Sequence, residues 1–132
     1  MRRLFVSLFS VVVLGAMAVP AALAGNPHFV VVDVSQSGNT VTATGKEAGL
    51  GDEPQVHIVL SALAECINPG NNHPQANNKE SVSAEGDFPV QNGKAEFSLT
   101  LTATFQPDCS PPMSVVFSNI KVTDVTSGIS YP

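Results

Sequence analysis

The chain has 132 residues, with 6 lysines and arginines against 11 aspartates and glutamates and no tryptophan, a length that supports one domain with a modest core. Both arginines, Arg2 and Arg3, lie at the extreme N-terminus, so the stretch after Ala24 carries four lysines against eleven acids, 4 − 11 = −7. Without guanidinium forks, and with the wrong sign for a polyanion, it excludes nucleic acid and anionic membrane surfaces as partners.

In chain order, Arg2-Arg3 precede a long apolar run that closes on the small residues Ala22-Leu23-Ala24. This layout predicts a secretory signal peptide over residues 1–24, cleaved after Ala24, and a single domain over 25–132. A membrane anchor is disfavoured by Pro20, the alanine-rich exit and the lack of a following basic cluster. Gly25, not cysteine, follows the cleavage point, so no lipid attachment is expected there. The mature protein is expected to be secreted, extracellular or periplasmic, with no membrane anchoring after cleavage.

The following pattern has period two. HFVVVDVSQSGNTVTATGKEAG reads as two β-branched strands joined around Ser35 to Asn39. Next, PQVHIVLSALAEC sends Val56, Ile58, Leu60, Ala62, Ala64 and Cys66 to one face, and SVSA at 81–84 supplies a short strand. FPVQNGKAEF predicts a hairpin, because Asn-Gly supplies the positive φ that a two-residue turn needs. Ala95, Phe97, Leu99, Leu101, Ala103 and Phe105 then alternate with polar residues. Met113, Val115 and Phe117 alternate until the phase slips to Ile120 and Val122, which predicts a β-bulge near Ser118-Asn119. Together these predict an all-β chain, an antiparallel immunoglobulin-like β-sandwich of about 6–8 strands.

Cys66 and Cys109 are the only cysteines. In an exported chain an isolated pair predicts one disulfide. A nucleophilic Cys66 would need a histidine base and a group to orient it, and a zinc site would need four ligands at recognisable spacing; neither pattern is present.

The succession VTATGKEAGLG, the loop CINPGNNHPQANNK and the turn QPDCSPP before a Ser-Asn-bearing strand resembles a group of small, secreted, uncharacterised bacterial proteins. The resemblance covers nearly all of the chain after Ala24 and implies the fold and the secreted habit, with no particular activity.

The loop after Cys66 is the candidate binding element. Asn68, Asn71, Asn72, His73 and Asn77 could present hydrogen-bonding groups to an extracellular protein or glycan, although short amides also order such loops by bonding their own backbone. His57 is expected to be a solvated residue on the outer face, beside Gln55, Ser61 and Glu65. His28 falls fourth after the cleavage point behind Pro27, which has no N–H, and so does not suit a terminal copper chelate. Asp52 and Glu53 read as a solvated turn. No nucleophile elbow, P-loop or zinc-protease helix occurs, so no catalytic residues, metal ligands or cofactors are assigned. The expected function is a non-enzymatic binding or surface-interaction module. The alternative is a secreted inhibitor of an extracellular hydrolase such as a protease, acting through the Pro-bounded segment around Cys109.

Overall fold

The computed structural model describes residues 25–70 and 78–132. The expected signal segment therefore lies outside the described residues. Seven strands succeed one another: β1 (His28–Ser37), β2 (Thr40–Ala48), β3 (Gln55–Ile67), β4 (Lys79–Pro89), β5 (Ala95–Thr102), β6 (Ser114–Asp124) and β7 (Ile129–Tyr131). They form two antiparallel sheets, ordered β1-β2-β5 and β4-β3-β6-β7. This is an immunoglobulin-like sandwich in which the fourth strand pairs with the third. In antibody constant domains that strand lies on the opposite sheet. Among the described residues no helix is long and apolar enough to cross a membrane.

The alternation in the sequence becomes the two layers. Val56, Ile58, Leu60, Ala62, Ala64 and Cys66 are all buried from β3, facing Ala95, Phe97, Leu99 and Leu101 from β5. Burial continues through Ala103 and Phe105, although the ladder of β5 stops at Thr102. Each fully buried aliphatic side chain is worth roughly 1.5–3 kcal/mol of transfer free energy. The phase slip in β6 is a bulge: Leu63 pairs with Ser118 and Ser61 with Lys121, and Asn119 takes φ 53°. That extra residue returns Ile120 and Val122 to the inward face.

Two expectations need correction. The strand at SVSA extends over eleven residues, because the alternation runs through Glu80, Val82, Ala84, Gly86 and Phe88 on the half-buried side. Only three of those five are strongly hydrophobic, which hides the period. The FPVQNGKAEF segment contains the expected turn, with Asn92 at φ 55° and Gly93 at φ 75°, and Gln91 and Lys94 exchange backbone hydrogen bonds of 2.8 and 3.0 Å. It is not a hairpin of two paired strands. Before the turn β4 pairs with β3, and after it β5 pairs with β2, so the chain crosses from one sheet to the other. Local turn chemistry is satisfied, and across the crossing the half-buried Phe88 and the buried Phe97 bring their rings together edge-on at 6.2 Å.

Candidate functional site

At one end of the sandwich four chain segments converge: the β1–β2 turn, the end of β5, the loop 103–113 and the start of β6. The disulfide fixes this end. Cys66, inward-facing near the end of β3, is bonded to Cys109 with Cα atoms 5.7 Å apart, as the sequence predicts. Met113 Sδ packs 3.8 Å from Cys66 Sγ. The bond is consistent with an oxidising, extracellular or periplasmic location.

Side chains hold the remaining segments. Asn39 Nδ2 donates to Ala103 O at 3.0 Å while Ala103 N–H donates to Asn39 O at 2.9 Å, which latches the turn to the end of β5. Gln36 Nε2 reaches across the open side of the sandwich to Val115 O at 3.2 Å, and Glu80 Oε2 accepts from the Thr104 N–H at 3.1 Å.

These contacts enclose a cleft of about 610 Å³ lined by Gln36, Asn39, Phe105, Asp108, Met113 and Val115 among others, with Cys109 in its wall. The volume is within the usual range for small-ligand sites. Phe105, Met113 and Val115 give it apolar surface; Gln36, Asn39 and Ser114 give it amides and a hydroxyl; among the described residues Asp108 is its one ionisable side chain. Such a lining can hold an apolar group and fix its orientation by hydrogen bonds. A second depression, of about 670 Å³, lies at the opposite end among Gly49, Asp52, Glu53, Pro54 and Lys94. It is formed by turns, and the buried part of the core contributes nothing to it.

The sequence-predicted site residues fare unequally. Asn68 is exposed one residue beyond β3, at the cleft end of the molecule, and does not line the cleft. Asn71, Asn72, His73 and Asn77 lie outside the described residues. His28 is exposed and its Nδ1–H donates to Asn26 O at 2.8 Å. Asp52 and Glu53 form a turn closed by Glu53 N–H to Leu50 O at 3.2 Å.

His57 points outward as expected, and it is more than a solvated residue. Nε2 lies 2.6 Å from Glu85 Oε1 and Nδ1 lies 2.8 Å from Asp87 Oδ1, both on β4. A ring with an acceptor at each nitrogen is best satisfied as the imidazolium, and these hydrogen bonds, Glu85 foremost, raise its pKa above 6.5. Glu65, on the same outward side, is nearly buried and pairs with Lys79 at 3.4 Å. Among the described residues no group of three or more His, Cys, Asp or Glu is arranged to hold a metal ion.

Sequence reasoning missed the cleft itself. The available signal was the alternation Val32, Val34, Gln36, which puts an amide in phase with the half-buried Val32, but nothing in β1 reveals that β6 stands opposite. Comparison with protein-family models, curated proteins and solved structures finds no match.

Proposed function

We propose that this is a secreted, non-enzymatic binding module whose ligand is an extracellular protein or glycan, engaged at the disulfide end of the sandwich. The observation that carries the reading is the position of the cleft: its wall contains Cys109, and the bond from Cys109 to Cys66 fixes the end of β3, where Asn68 begins the amide-rich segment. A covalently held rim reduces the ordering entropy lost on binding. The stretch after Ala24, at 4 − 11 = −7, favours neutral or cationic partners. The test is binding of the purified domain to arrayed glycans and to extracellular proteins from its own culture, compared with Gln36→Ala and Asp108→Ala. Binding weakened by both changes supports the reading. Turnover of an extracellular substrate that a single His57→Ala change abolishes overturns it.

A second reading, an inhibitor of an extracellular hydrolase, is favoured by the segment around Cys109. Gln106, Pro107, Asp108, Ser110, Pro111 and Pro112 are all exposed while the cysteine between them is tied down. Micromolar protein that slows a member of a protease panel supports this reading, and a panel left untouched removes it.

A further inference from the structure

At the end of the sandwich opposite the disulfide, two acids meet in the core. On β2 the inward positions run Val41, Ala43, Gly45, Glu47; on β6, past the bulge, they run Ile120, Val122, Asp124. The alternation that builds the core therefore drives both carboxyl groups into it, one from each sheet, and both residues are 0% exposed. Asp124 Oδ1 accepts the N–H groups of Thr126 at 2.8 Å and Ser127 at 3.1 Å, and its carbonyl accepts that of Gly128 at 2.8 Å, so it also shapes the β6–β7 turn. Asp124 Oδ2 and both oxygens of Glu47 have no donor within the described residues.

Two ionised carboxylates in that position would have no counterion among the described residues, and Asp124 Oδ2 and both Glu47 oxygens would have no donor there. Protonating one removes a charge and creates an O–H that donates to the other. Asp124 already accepts two backbone N–H groups at Oδ1, which leaves its Oδ2 as the acceptor for that O–H. Glu47 is the group suited to hold the proton: burial first, then its hydrogen bond to Asp124, then the charge of Asp124 push its pKa up to about 9.

Among the described residues no cation intervenes from the elements packed around the pair. Lys46, on the outer side of β2, lies 4.0 Å from Glu96 of β5, and His57 of β3 is held outward by Glu85 and Asp87 of β4. His28 and Asp33 of β1, Lys121 of β6 and Tyr131 of β7 are exposed, as are Lys94 and Asp52 in the adjoining turns; Glu53 is half-buried in its turn. Neither carboxyl lines either of the large cavities at the two ends, so the pair does not face a ligand space there.

We propose that Glu47 and Asp124 are a one-proton clasp between the two sheets: with the proton held between them this end of the sandwich is closed, and its loss leaves two facing anions that release the end while the disulfide keeps the other tied. The direction follows from linkage. Folded Glu47 keeps a proton that the unfolded chain gives up near 4.5, so its contribution to stability is full below that pH and is lost as pH rises toward about 9.

The experiment uses the disulfide-intact protein. Carbon-13 NMR follows the Glu47 side-chain carboxyl through a pH titration, and thermal unfolding is measured from about pH 5 to pH 10, well beyond both reference carboxylate values, for the wild type and Glu47→Gln. Glutamine keeps a donor toward Asp124 and cannot ionise. The expected result is a Glu47 carbon that titrates on the alkaline side of neutrality, a fall in Tm with pH that Glu47→Gln at least halves, and amide exchange at Thr126 and Ser127 that accelerates with pH more in the wild type than in the variant. A Glu47 carbon that titrates in the ordinary carboxylate range, or equal pH slopes in the two proteins, overturns the clasp. If Glu47→Gln fails to fold, the wild-type titration decides alone.

Discussion

Phe97 pairs with Gly45 across the β2–β5 ladder, and its ring fills the volume a side chain at position 45 would occupy. A Cβ there would lie 2.6 Å from Phe97 Cζ and 2.4 Å from the backbone oxygen of Val31. The backbone oxygen cannot move without disturbing β1. Gly45→Ala is therefore expected to destabilise the domain by about 1–3 kcal/mol through overpacking, measured as a lower urea midpoint with an unchanged m-value.

The disulfide ties Cys66 to Cys109 across 43 residues of sequence. Cys66→Ser and Cys109→Ser should each lose about 2–5 kcal/mol, with the double variant little worse than either, because both changes delete one bond. Thiol titration of the oxidised native protein should find no free cysteine. Two titratable thiols, or strongly unequal single-variant losses, would contradict the stapled arrangement.

His57 should titrate above 6.5, with Glu85→Gln lowering its pKa more than Asp87→Asn, because the Glu85 hydrogen bond is the larger influence. Its stabilising contribution is full below about 6.5, the reference value for the unfolded chain, and is lost as pH rises through the higher folded value. Proton NMR of the imidazole checks both points; an unshifted His57 would show that the two carboxylates do not hold the ring in solution.

Asn119 occupies the left-handed region at φ 53° in the bulge of β6. Asn119→Gly should be tolerated, and Asn119→Val should lose about 1–2 kcal/mol, since a β-branched side chain crowds the following carbonyl there. Chemical denaturation of the two variants distinguishes this from a site that only needs a polar side chain.

Much of the fold is legible in the sequence because a strand with one buried face writes its environment into every second residue. Val56 to Cys66 and Ala95 to Phe105 read directly, and even the bulge at Asn119 shows as a phase slip. β4 reads poorly, since Glu80 and Gly86 occupy inward positions without being apolar. The Asn92-Gly93 turn reads as a hairpin because two residues specify turn geometry, and only distant residues specify which strands pair. The cleft and the Glu47–Asp124 pair depend on which sheet faces which, and no single segment encodes that. An inward phase carried one step further, from Ala43 to Gly45 to Glu47, was the available clue to the buried acid.

The crossing at Asn92-Gly93 also bears on how the chain assembles. β1 with β2, β3 with β4 and β6 with β7 are each close in sequence, but β5 finds no neighbour in β4. It pairs with β2, where Thr40 meets Thr102, 102 − 40 = 62 positions away. The three-stranded sheet cannot be completed until the chain has closed a loop containing the whole of β3 and β4, so a large loop-closure entropy is lost before the contacts that offset it form. Folding on the millisecond-to-second scale of non-local β proteins is the consequence, with the β1–β2 and β3–β4 pairs able to form early and β5 joining them late.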